Sequence, residues 1–131
     1  MAQVKYIAML LIMVFMLQNM HGHFSGEIPD GLKSAVISGN SRELAKYFNK
    51  AIVFEILGND NIYNSNQAEQ ALKNFYSQNS IVKISILYEG GKGQSQYLIS
   101  KIITTKGVFR LSLLVKSQLV IQLNIDKENG N

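Results

Sequence analysis

Acid–base or nucleophilic chemistry has few places to reside in this 131-residue chain. There is no cysteine, and both histidines, His21 and His23, sit near the N-terminus beside an apolar run. A Ser–His–Asp arrangement needs a histidine to carry the proton. A zinc site built from carboxylates alone lacks the nitrogen and sulfur ligands that zinc prefers. The sequence therefore points to no metal and no cofactor. What remains is carboxylate general-base chemistry, which requires an acid held in an apolar hollow where burial retunes its proton affinity. Glu55 is the candidate, because it interrupts the apolar stretch "IVFEIL". Its alternation partners are Ala51, Val53 and Leu57, while Ile52, Phe54 and Ile56 form the more apolar face. That period places Glu55 toward water. Glu89 and Asp126 fall at strand ends, where solvated carboxylates are ordinary.

Two other groupings bear on binding. "EGGKGQ", from Glu89 to Gln94, has the glycines and lysine of a phosphate-binding loop. Such a loop needs a lysine followed by serine or threonine, set between a strand and a helix whose N-terminus meets the phosphate. Here Lys92 precedes Gly93 and the segment joins two strands, so a hairpin turn is the reading. Phe54, Tyr63, Phe75, Tyr97 and Phe109 are candidates to line a pocket for a small apolar ligand, with Tyr63 and Tyr97 presenting hydroxyls at its mouth. The plainer alternative is that most of these rings fill the core. Lys101, in a largely apolar strand, is read as reaching out to solvent along its own stem.

The elements that must position these residues are legible from period and punctuation. Ile28, Leu32, Ala35 and Val36 share one helix face, Pro29 suits the first turn, and Gly39 supplies a left-handed stop. Asn40 with Glu43 resembles a capping box opening a second short helix, whose apolar face would be Leu44, Ala45, Tyr47 and Phe48. "AIVFEILGNDNIY" is β-rich, breaks at Gly58–Asn61, and resumes at Ile62–Tyr63 as a short hairpin. Ala68, Ala71, Leu72, Phe75 and Tyr76 then mark a third helix. Four strands follow. In the first, Val82, Ile84, Ile86 and Tyr88 alternate with Lys83, Ser85, Leu87 and Glu89. The second runs from about Ser95 to Thr104. The third sets Phe109, Leu111, Leu113 and Val115 against Arg110, Ser112 and Lys116. The fourth sets Leu119, Ile121, Leu123 and Ile125 against Gln122, Asn124 and Asp126. Short connections make these strands a meander with one covered face. Three helices laid over a curved antiparallel sheet, a short hairpin plus a four-stranded meander, give an α+β cone.

The first residues read as an address. Lys5 precedes twelve apolar residues, Tyr6 to Leu17, and a polar exit at Gln18–Asn19. That length suits a secretory signal, since a membrane-spanning helix takes about 20 residues. A signal peptide over 1–23, cut somewhere between 20 and 26, would leave a single domain over 24–126 and a disordered tail over 127–131. Export to the periplasm or the medium follows, with the membrane involved only through the signal. Lipid attachment is excluded because no cysteine exists to carry it. Without disulfides, the exported domain must hold together by its core, and 47% of the residues are apolar. The net charge of +4 is spread along the chain with only two arginines. Nucleic-acid binders concentrate cations on one face, so no nucleic-acid partner is expected.

The stretches "IPDGLKSAVISGNSRELAKYFN", "IYNSNQAEQALKNFY", "YLISKIITTKGVFRLSLLVK" and "IQLNID" resemble, in wording and order, the DUF4783 family. These are small exported proteins found mainly in Bacteroidetes, within the NTF2-like (cystatin-like) α+β superfamily. The resemblance spans Glu27 to Asp126. It departs at "KSQ", Lys116 to Gln118, where a longer Asn-Gly turn is usual. It implies the cone fold and export, and it implies no activity. Two readings follow. One is a non-enzymatic domain that binds a small apolar ligand or a protein partner, with the sheet face around Leu87, Leu114, Val120 and Gln122 offering a homodimer surface. The other is an isomerase- or dehydratase-type enzyme using Glu55 with a tyrosine. Protease inhibition of the cystatin type is unsupported, because the Gln-x-Val-x-Gly hairpin and tryptophan are both missing.

Overall fold

The computed structural model describes residues 27–129. The expected signal segment, with His21 and His23, lies outside the described residues, as do the last two positions of the tail. Helix α1 (Asp30–Ser38) leads into the short α2 (Ser41–Ala45), then β1 (Phe48–Ile56) and β2 (Asn59–Asn64). Helix α3 (Ser65–Gln78) follows, and β3 (Ile81–Lys92), β4 (Ser95–Thr104), β5 (Gly107–Lys116) and β6 (Leu119–Lys127) complete the chain.

The helix ends form for the anticipated reasons. Gly39 adopts φ 64°, and its N–H and that of Asn40 bond back to Val36 and Ala35, closing α1. A side chain at Gly39 would also press on Ile81 Cδ1, which would have to shift where α1 ends against β3. Asn40 caps α2 by accepting from the Glu43 N–H at 3.1 Å, but Glu43 turns away to pair with Lys46 at 2.9 Å. The full reciprocal box occurs instead at α3. There Asn64 Oδ1 accepts from the Gln67 N–H at 2.8 Å, and Gln67 Oε1 accepts from the Asn64 N–H at 3.0 Å.

The hairpin and the meander turn out to be one sheet. Its order is β2-β1-β6-β5-β4-β3, with every neighbour antiparallel except β1 and β6, which run parallel. The sheet is curved and does not close, so β2 and β3 are free edges. A parallel pairing between the first and last strands has no local sequence signature, which is why alternation alone left the two pieces separate. The three helices cover one face. Leu32, Val36, Leu44, Leu72, Ile52, Ile102, Leu111 and Leu123 are fully buried between them and the strands. Each such side chain contributes about 2 kcal/mol by leaving water.

Three boundaries differ from the sequence expectation, and the "KSQ" turn falls where it was expected. The second helix stops at Ala45, so Phe48 opens β1 instead of finishing the helix face. The first hairpin turns at Leu57–Gly58, both with positive φ as a type I′ turn requires, and Asn59–Asn61 belong to β2. The "KSQ" connection is another two-residue turn, with Ser117 at φ 50° and Gln118 at φ 68°. The polar tail is ordered further than expected: Lys127 ends β6, and the Glu128 N–H donates to the Val108 carbonyl at 2.9 Å.

Candidate binding surface

The hollow between helices and sheet is where a catalytic acid or a ligand would sit, and it is packed with apolar side chains. Phe54, Phe75 and Phe109 are buried there. Phe75 meets Phe109 edge to face with centroids 5.0 Å apart, and Phe54 meets Tyr63 at 5.5 Å. These three phenylalanines are core, the plainer of the two sequence readings. Among the described residues the buried polar side chains are Ser100 and Thr104. Thr104 Oγ1 donates to the Gly107 carbonyl at 2.8 Å, and Ser100 Oγ donates to the Leu111 carbonyl at 3.4 Å. Tyr76 is the exception. Its hydroxyl is shut off from solvent and has no hydrogen-bond partner, and burial pushes its phenol well above the usual value.

The two tyrosines expected together at a cone mouth are on opposite sides of the sheet. Tyr63 borders an open groove of about 350 Å³ between β2 and α3, lined by the carboxamides of Asn66, Gln67, Gln70 and Asn74. Tyr97 projects from the outer face, away from the helices, and is 49% exposed. The five proposed pocket residues therefore do not form one pocket.

Glu55 also belongs to the outer face, as its alternation with Val53 indicated. It stands directly opposite Asp60 on β2 and beside Asn124 on β6. The charge of Asp60 raises its carboxyl above the ordinary range, with partial desolvation and Asp126 adding to the effect. No group of three potential metal ligands occurs among the described residues.

Pairing register lays the outer face out in rows. One runs Ile62, Val53, Gln122, Leu114, Tyr97 and Gly90; the next runs Asp60, Glu55, Asn124, Ser112, Ile99 and Tyr88. Val53 is 43% exposed and Tyr88 52%. Leu114 and Ile99 are half-buried, and Tyr97, Leu114, Gln122 and Asn124 help to line a shallow concavity of about 160 Å³. The anticipated outer patch needs one correction. Leu114 and Gln122 are on it and Leu87 is exposed, but Val120 is 0% exposed and packs into the core. A register shift between Leu114 and Val115 inserts an extra residue in β6, which reverses the faces before Gln122 and leaves Leu119 outside. Shifts in β3 similarly put Val82 in solvent. Polar alternation in β5 and β6 did mark Ser112 and Asn124 as outward. The row that joins them to Glu55 depends on strand order.

Three helices over one face of a six-stranded sheet, in this strand order, define an NTF2-like (cystatin-like) α+β protein. Two solved structures show that fold at a distance. An NTF2-like protein of unknown function from Burkholderia xenovorans is 9% identical, with TM-score 0.60, covering 78% of this chain and 80% of its own. A putative polyketide cyclase from Sinorhizobium meliloti is 16% identical, with TM-score 0.60, covering 76% and 95%. The chain belongs to the DUF4783 family, a domain of unknown function, whose pattern matches residues 29–127. A DUF4783 protein from Bacteroides ovatus is 29% identical, with TM-score 0.75, over 81% of this chain and 100% of that one. One from Bacteroides fragilis is also 29% identical, with TM-score 0.71, over 78% and 100%. No curated protein matches the sequence.

Proposed function

We propose that this is an exported, non-enzymatic domain that acts by binding a protein through the outer face of its sheet. The observation that carries the reading is the division of labour between the two faces. The inner face is spent on a core of packed aliphatic and aromatic side chains. The outer face keeps Val53, Leu114, Tyr97 and Ile99 partly uncovered in the middle of a rigid sheet. Interaction surfaces are commonly of that kind, with an apolar centre and a polar rim. A protein partner fits better than a small apolar ligand, because four of the five rings proposed to line a ligand pocket pack in pairs, Phe54 on Tyr63 and Phe75 on Phe109, and Tyr97 lies on the other face. The isomerase or dehydratase reading is disfavoured by Glu55, which projects from the sheet face opposite to Tyr63. No cofactor and no nucleic acid enter the proposal, and the membrane is involved only during export.

Native mass spectrometry of the protein purified from its own cell envelope tests this. The expected spectrum shows an N-terminus processed between residues 20 and 26 and a species heavier than one chain by a whole polypeptide. A bare monomer retaining a small organic molecule would overturn the protein-partner reading, and an unprocessed chain would overturn export.

A further inference from the structure

We infer that the groove between β2 and α3 is a binding site for a neutral saccharide, seated on a row of carboxamides beside the ring of Tyr63. The groove lies on the helix side of the molecule, so this site goes beyond the outer-face reading and does not depend on it.

Two local patterns build the lining. On β2, Asn61 and Tyr63 stand opposite Phe54 and Ile52. Those two side chains are buried under the helices, so Asn61 and Tyr63 project to the helix side as well. On α3, Asn66, Gln70 and Asn74 recur every four residues and form a row along one side of the helix. Each step of that row rises about 6 Å, so it runs about 12 Å from end to end. Gln67, Ala71 and Tyr63 complete the lining around a volume of about 350 Å³. That is toward the lower end of the range of about 300–1,000 Å³ usual for ligand sites.

Polar side chains on the exposed side of a helix are ordinary. What sets this groove apart is that no charged side chain lines it, although 17% of the residues in the chain are charged. The side chains of Asn66, Gln70 and Asn74 make no hydrogen bond among the described residues, and Gln67 uses only its oxygen, in the cap of α3. Each carboxamide offers two N–H donors and a carbonyl acceptor in one plane. Neighbouring hydroxyls of a sugar, each both donor and acceptor, match that set. Tyr63 supplies the second half of the recognition. Its ring is half-buried, held by Phe54 with centroids 5.5 Å apart, and borders the carboxamides. Such a ring covers the C–H face of a sugar while its hydroxyl stays hydrated. A charged ligand would lose hydration here and meet no counter-charge. A purely apolar one would strand the carboxamides without partners. A peptide strand can pair its amides with them, but it also sends a side chain to this side at every second residue. Tyr63 and Ala71 are all the groove has to receive those.

The test uses the isotope-labelled full chain, produced in its native host and purified as it matures there, and follows its side-chain amide signals by NMR. The neutral probes are cellotetraose, maltotetraose, mannotetraose and xylotetraose. Tetragalacturonate is the charged probe, and a capped serine–glycine tetrapeptide is the peptide probe. The signals of Asn66, Gln70 and Asn74 should move with at least one neutral tetrasaccharide and with neither of the other two probes. Combining Gln70→Ala with Asn74→Ala removes exposed groups that hold nothing in the fold, so circular dichroism should be unchanged. The loss of two hydrogen bonds should weaken binding about tenfold or more. Tyr63→Ala should weaken it at least as much, while Tyr63→Phe keeps the ring and should stay within about threefold of the natural protein. The inference is overturned if none of the four neutral probes moves these signals, or if the double variant binds as well as the natural protein. An equal response to tetragalacturonate overturns it too, by showing that neutrality is not selected, and an equal response to the tetrapeptide assigns the groove to peptide instead.

Discussion

Replacing Tyr76 by phenylalanine should make the protein more stable, against the usual trend that buried substitutions destabilise. Tyr76 lies in the last turn of α3, its ring packed on the core and tilted against Phe75 with centroids 5.9 Å apart. Part of the residue reaches the surface, but the hydroxyl does not, and nothing among the described residues accepts from it or donates to it. An unsatisfied buried hydroxyl costs about 1–3 kcal/mol of desolvation. The Tyr76→Phe variant would keep the ring and drop that cost, so unfolding free energy should rise by about 1–3 kcal/mol. For a domain of about 100 residues the lower figure alone is about 4 °C or more in Tm. Urea unfolding followed by circular dichroism should show a higher midpoint with an unchanged slope. The pH dependence supplies a second readout. Burial raises the phenol of Tyr76 above its ordinary value of 10.0, so the native state holds its proton while the unfolded chain releases it. Stability is complete below about pH 10 and falls as pH rises beyond it, by about 1.4 kcal/mol per unit for one such group. Tyr76→Phe lacks this loss, so its advantage should widen in alkali. A variant less stable than the natural protein at neutral pH would refute the reasoning. It would mean that the hydroxyl holds a bound water or another group whose loss outweighs the desolvation.

Glu55→Gln should raise Tm at pH 7 in low-salt solution. The neighbouring charge of Asp60 raises the folded carboxyl above its ordinary value of 4.5, so the group favours folding only while protonated and that contribution is lost as pH climbs through the folded value. The gain from glutamine should therefore vanish by about pH 3; a gain equal at both pH values would show that charge is not its source. Asn64→Ala removes the cap of α3 and should cost about 1 kcal/mol, read as a lower urea midpoint, with Asn64→Ser recovering much of it. An unchanged midpoint would mean that tertiary packing alone holds that turn.

What could be read in the sequence is what depends on near neighbours along the chain. The 3.6-residue stripe of α3 and the strict alternation of β5 survive intact: Ala68, Leu72 and Phe75, and Phe109, Leu111, Leu113 and Val115, are all buried. Glu55 pointed outward for the same reason, since Ile52 and Phe54 held the other face. Reading failed where one extra residue shifts the phase. Val120 changed places with Leu119, which is 39% exposed, because a bulge costs little locally yet reverses every side chain beyond it. It failed again where geometry is non-local. Nothing near Phe48–Ile56 announces that this strand will lie parallel to β6, at the far end of the chain. That pairing is what carries Glu55 and Asp60 to the flank of Asp126, so this cluster of carboxylates on the outer face was invisible until the strand order was known.

The pairing of β1 with β2 makes this cluster of carboxylates more than scattered surface charge. Glu55 directly opposite Asp60 breaks a simple rule of sheet stability, since like charges across a pair of antiparallel strands repel. A single change to glutamine or lysine at either position would relieve it. Leu57 breaks a second rule nearby, holding φ 52° in a turn where glycine or asparagine is at ease. Departures of this kind collect at functional surfaces, where a sequence tolerates local strain for the sake of what it meets. Among the described residues neither carboxylate has an ion-pair partner to offset the repulsion.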